Sequence, residues 1–110
     1  MPLYHLVRKS QWDATAFATH FRPTSLATEG FVHLSTDAQL LGSAEKWFAD
    51  EAEILVVVVD EARLTSQVRY DPVGERVFPH LYGPLNLDAV VEVRTLTRGP
   101  DGRFGLPGWL

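Results

Sequence analysis

Residues Ile54-Leu55-Val56-Val57-Val58-Val59 read "ILVVVV", apolar at every position. Four successive valines lose side-chain freedom in a helix and pack well on a pleated surface, so the stretch is a strand. It has no polar face. Such a strand belongs inside a sheet, covered on both sides. The same run is far too short to span a bilayer.

Outward from this strand, the chain offers further strands and two main helices. Leu3 to Val7 alternates Leu3, His5 and Val7 with Tyr4 and Leu6, the period of a strand. Ser10 with Asp13 predicts a helix start, with Trp12, Ala16 and Phe17 as the buried stripe. That helix should fail near His20 to Pro23, because proline disfavours helical geometry before it, and His20 is then a favourable charge at a helix end. Gly30 precedes a second strand, Phe31 to Leu34. Thr36 and Gln39 match a capping box, which predicts a helix from Thr36 to Glu51–Glu53. Leu40, Leu41, Ala44, Trp47 and Phe48 recur at helical spacing and should face the core. Asp60 to Leu64 is a turn or single helical turn, Gln67 to Tyr70 a short strand, and Pro72 to Glu75 a loop. Val77 to Leu81 is extended but interrupted by Pro79, hence an edge strand, a bulge or a rigid loop. Leu87 to Leu96 is the last long strand. Two helices with about five or six strands, not regularly alternating, predict an α+β domain over residues 1–98. A Gly/Pro-rich tail, residues 99–110, follows, and its Phe104, Leu106 and Trp109 pack on the body or on a neighbour.

The 110 residues suit one domain with its own core, and a 45% hydrophobic content opposes disorder. No cysteine is present, which removes disulfides, thiolate metal sites and a cysteine nucleophile. A net charge of −4 disfavours a broad grip on nucleic acid, which needs a basic footprint. The N-terminus, "MPLYHLVRKS", meets charge too soon for a signal peptide, so the expected location is cytoplasmic, with no membrane partner. Oligomeric state is not written in the sequence.

Three of the four histidines sit in strand-like surroundings: "LYHLV" at 3–7, "FVHLST" at 31–36 and "FPHLYG" at 78–83. A period of two places His5 with Leu3 and Val7, His33 with Phe31 and Ser35, and His80 with Phe78 and Tyr82. If these faces converge, they line a cavity of imidazoles and aromatic rings with hydroxyls at its rim, the usual make-up of a small-molecule site. The plainer reading keeps each histidine as a half-buried residue bonded to a backbone carbonyl. Ser35 and Thr36 are candidates to hold phosphate at a helix start, with Arg69 and Arg8 as countercharge. Tyr82 either stacks on a ligand ring or packs in the core. The histidines lack the short local spacing of metal motifs, and "HLSTD" lacks the glycine-flanked elbow of a serine hydrolase, so no metal ligand is assigned.

The segments "YHL" at 4–6, "EGFVHLST" at 29–36 with Gln39, "DEARL" at 60–64 and "FPHLYGPLNLDAVV" at 78–91 resemble the DUF952 family of small bacterial and plant proteins. The family is similar in fold to ADP-ribosyltransferases, which implies two small mixed or antiparallel sheets around a cleft that grips NAD. The resemblance implies that His5 holds a ribose, that the second motif falls at His33 to Thr36, and that the third carries His80 and Tyr82 where transferases have glutamate. The resulting expectation is a protein that binds NAD or a related nucleotide in a His-lined cleft. His5, His33 and His80 are its catalytic candidates, and Ser35, Thr36, Arg69 and Tyr82 its ligand contacts. NAD is then a substrate of an ADP-ribosyl- or phosphotransferase-like activity, with no other cofactor assigned. The alternative is a non-catalytic module for a small anion or metabolite. A third reading makes the histidines satisfied core residues.

Overall fold

A computed structural model describes residues 2–15 and 18–105. The elements are β1 (Pro2–Val7), α1 (Lys9–Asp13), β2 (His20–Phe21), α2 (Thr24–Thr28), β3 (Val32–His33), α3 (Leu40–Trp47), β4 (Glu53–Asp60), β5 (Gln67–Val73), β6 (Arg76–Tyr82), β7 (Leu85–Asn86) and β8 (Val90–Thr97). Short 3-10 turns occupy Glu61–Arg63 and Leu87–Ala89. The α+β class is as the sequence predicts.

The valine run forms β4, the middle strand of an antiparallel sheet in the order β1-β4-β8. Both of its faces are buried. Val57 and Val59 join Leu3, Val7, Phe21, Val32, Leu34, Leu81 and Leu85 in one core. Ile54, Val56 and Val58 join Tyr4, Leu40, Ala44, Leu96 and Phe104 in a second core beneath α3. A second sheet, β3-β6-β5, supplies Val32, Leu81 and Val68 to the first core, and β2 pairs with β7 alongside. The two larger sheets pack through this first core and are also joined by backbone. Tyr4 of β1 bridges Ser35, through Tyr4 N–H to Ser35 O at 2.9 Å and Ser35 N–H to Tyr4 O at 2.8 Å.

Several expectations change. Helix α1 holds only five residues, and Arg8, not Ser10, stands at its N-cap, without a side-chain bond. Ala16 and Phe17 lie outside the described residues, as do Leu106 and Trp109. His20 pairs with Asn86 in β2, so it caps no helix. Helix α2 follows Pro23, whose fixed φ suits a helix entrance; no apolar periodicity announced so short an element. Helix α3 starts at Leu40, not Thr36, because residues 36–39 form a turn closed by Gln39 N–H to Thr36 O. Pro72 is not in a loop. β5 runs to Val73, and Gly74, at φ +62°, makes the turn into β6. β6 is a central strand despite Pro79. Leu34 N–H donates to Pro79 O, after which the chain leaves β6 to pair with β1. The missing N–H of Pro79 therefore falls where the ladder has already ended. Phe104 packs on the body, in the core beneath α3.

Among the described residues no helix is long and apolar enough to cross a membrane. Because β4 serves two cores, Ile54→Ala should cost roughly 2–5 kcal/mol. Val91→Ala, on the exposed outer strand, should stay within about 0.5 kcal/mol. Urea unfolding of both variants measures the contrast.

Candidate functional site

The bridge between β1 and Ser35 draws the three histidine segments together. His33 lies opposite His80 in the β3–β6 register, and Arg69 lies opposite His80 on the other side. The His33 and His80 rings stand edge to face with centroids 5.4 Å apart. Phe31 stacks on His80 at 4.0 Å and meets the edge of His33 at 5.0 Å. His5, from the neighbouring sheet, donates from Nδ1 to the His33 carbonyl at 2.8 Å. A carbonyl only accepts, so Nδ1 carries the hydrogen and Nε2 keeps its lone pair. Burial pushes the His5 imidazole down from 6.5 to about 4; its bond to the His33 carbonyl opposes this, and the His33 ring adds to it. His5 is therefore neutral at physiological pH.

These side chains border a cleft of about 830 Å³, within the range of ligand sites. Its lining comprises Phe31, His33, Phe78 and His80 from the second sheet and the residue before it, His5 and Ser35 at the sheet junction, and residues of α3. Helix α3 contributes through a stripe the sequence reading missed: Gln39, Gly42, Ser43, Lys46 and Trp47. They recur at helical spacing, next to the core stripe of Leu40 and Ala44. Trp47, expected in the core, is 62% exposed at the cleft, and its ring stands 6.3 Å from His33. The small residues of this stripe keep the space open. A Cβ on Gly42 would meet nothing within 4 Å.

Each of the other two imidazoles is held by a carboxylate. His33 Nε2 bonds Glu29 at 2.8 Å, and His80 Nδ1 bonds Asp71 at 2.8 Å. Tyr82 also donates to Asp71. The Tyr82 hydroxyl, then the His80 ring, hold the Asp71 carboxyl below its usual range, and Asp71 in return raises the Tyr82 hydroxyl. Among the described residues, the cationic groups at the cleft are Arg8, Lys46 and Arg76, and the carboxylate is that of Glu29. Arg8 is paired with Glu51, Lys46 lies over the Trp47 ring at 5.1 Å, and Arg76 has no ion-pair partner among the described residues. The cleft thus reverses the sign of an acidic chain.

Of the sequence-derived candidates, His5, His33, His80 and Ser35 border the cleft. Thr36, Arg69 and Tyr82 do not. Thr36 N–H is taken by the Gln39 side chain and Ser35 N–H by Tyr4, so those two amides are not free to hold phosphate at a helix start. Arg69 lies over the Tyr82 ring at 4.9 Å, and the Tyr82 hydroxyl donates to Asp71, which holds His80. Glu29, Arg76, Lys46 and Trp47 were missed. Among the described residues no group of three or more His, Asp or Glu side chains is placed to hold a metal ion.

A family model described as "Protein of unknown function (DUF952)" matches residues 6–93. The crystal structure of protein CC0527 from Caulobacter crescentus is 29% identical, with a TM-score of 0.85 over 96% of this chain and 95% of that one. The solution NMR structure of CC0527 gives a TM-score of 0.83 at 29% identity, over 99% and 96% of the two chains. No curated protein matches the chain.

The neutral His5 sets a pH dependence. Its folded value lies below its unfolded one, so between about pH 6.5 and about pH 4 the unfolded chain binds a proton that the folded chain refuses. The stability His5 permits is complete above that window and falls by roughly 3 kcal/mol across it as pH drops. His5→Asn stays neutral and keeps a donor for the His33 carbonyl. Urea unfolding at several pH values should show a shallower slope for His5→Asn in this window.

Proposed function

The chain belongs to the DUF952 family, and from the cleft of this member we propose an ADP-ribosyltransferase-like protein that binds NAD or a related nucleotide among His5, His33 and His80. The observation that carries the reading is the pairing of flat rings with positive charge inside one cleft. Phe31, Phe78 and Trp47 offer faces for a base, and Lys46 and Arg76 offer charge for phosphates. His5 adds a specific contact. Its Nε2 lone pair accepts a hydrogen bond from a sugar hydroxyl, and its fixed tautomer makes it an acceptor only. His33 and His80 are the groups placed to move a proton, each with one ring nitrogen held by a carboxylate.

A second reading, a module that binds such a ligand without turning it over, is favoured by one observation. The carboxylate at the cleft, Glu29, is tied to His33, so among the described residues no cleft carboxylate stands free to activate an acceptor. Turnover of added NAD separates the transferase from the module, which would return it intact.

Calorimetric titration with NAD, ADP-ribose and AMP tests the binding itself. Binding should quench Trp47, and Arg76→Ala should weaken it about 10- to 100-fold by removing a charged hydrogen bond. Gly42→Leu should leave the fold intact and abolish binding by filling the cleft. Absence of heat and of any thermal shift at millimolar ligand contradicts the proposal.

A further inference from the structure

Two carboxylate-held imidazoles on adjacent strands of one sheet are more than a nucleotide needs for binding. His33 gives Nε2 to Glu29 and His80 gives Nδ1 to Asp71. The remaining nitrogens, His33 Nδ1 and His80 Nε2, have no partner among the described residues. Nor does any sealed, unpartnered side-chain nitrogen or oxygen occur among them, so His80 Nε2 reaches open space although the residue is mostly buried. With the rings 5.4 Å apart, two oxygens on one phosphorus can reach both by ordinary hydrogen bonds.

On the nucleotide-binding reading above, we infer that His33 and His80 are an acid–base pair for opening a nucleoside 2′,3′-cyclic phosphate. His33 Nδ1 takes a proton from water. The water oxygen forms a new P–O bond, and the P–O bond to one ribose oxygen breaks. His80 enters protonated and delivers its Nε2 proton to that oxygen. The products are a nucleoside monophosphate, a protonated His33 and a neutral His80, and one proton returned through solvent resets the pair. Water and the cyclic ester are the only reactants. His33 is assigned the base because its half-exposed ring meets water, and His80 the acid because its ring is the more enclosed of the two. Lys46 and Arg76 neutralise the phosphoryl oxygens where negative charge gathers. Breaking a glycosidic bond calls for a carboxylate facing the sugar, and Glu29 is committed to His33. A cyclic ester also keeps its leaving oxygen on the same molecule, so both proton transfers stay inside one cleft.

The native protein is incubated with 2′,3′-cyclic AMP, with 3′,5′-cyclic AMP and NAD in parallel, and binding of each is measured by calorimetry. The expected result is 2′- or 3′-AMP from the 2′,3′-cyclic ester alone, with a bell-shaped pH profile. His33→Ala, at a half-exposed position that should tolerate it, lowers the rate about 100-fold or more without changing the melting temperature. Asp71→Asn and Glu29→Gln test positioning: each shifts one limb of the pH profile and lowers kcat with little change in KM. Binding of 2′,3′-cyclic AMP without ring opening overturns the inference and leaves the nucleotide reading standing. So does turnover that survives His33→Ala, or cleavage of NAD in its place. Failure of every nucleotide to bind overturns both.

Discussion

Two backbone hydrogen bonds between Tyr4 and Ser35 join the molecule's two larger sheets, which also share the first core. The bridge sits one residue from His5 and two from His33, so the contact that joins the sheets also assembles the site. The His5-to-His33 carbonyl bond extends the junction by one side chain. Its burial explains why that ring stays neutral, and its geometry explains why Nε2 is left as an acceptor.

The cleft then follows from what the cores leave over. β4 consumes both faces of the first sheet, one against the second sheet and one against α3. The far face of the second sheet, with Phe31, His33, Asp71, His80 and Tyr82, is not part of either core. Helix α3 reaches over its edge and presents the stripe from Gln39 to Trp47, while its other side stays on β4. Gln39 ties the start of α3 to the second sheet: its amide donates to Val77 O at 2.7 Å and its oxygen accepts from Thr36 N–H at 3.2 Å. A helix bound on one side and lined with small and polar residues on the other leaves room beside the imidazoles.

The fold class was legible because the signals that set it are local. "ILVVVV" has no polar face, and that alone demands a covered central strand. The convergence of His5, His33 and His80 was legible only as a conditional, since strand pairing depends on contacts between residues far apart in sequence. The length of β5 was missed because Pro72 reads as a stop, whereas its partner strand carries the hairpin on to Gly74. The start of α3 was missed because the Thr36–Gln39 pattern fits a tight turn as well as a cap. Trp47 was placed in the core because a tryptophan at helical spacing usually is. The signal against it was present: Gly42, Ser43 and Lys46 share its stripe, and no core stripe is built of such residues. Arg76 carried no signal, and Glu29 stood in the "EGFVHLST" motif, four residues before His33, without a role being read from it.

Whether the sheet junction holds His5 neutral beside His33 is read by long-range proton–nitrogen NMR of the imidazole rings from about pH 4 to about pH 8. His5 should keep its hydrogen on Nδ1 and stay neutral through most of this range. A His5 that carries its hydrogen on Nε2, or that protonates near the ordinary imidazole value, would contradict it.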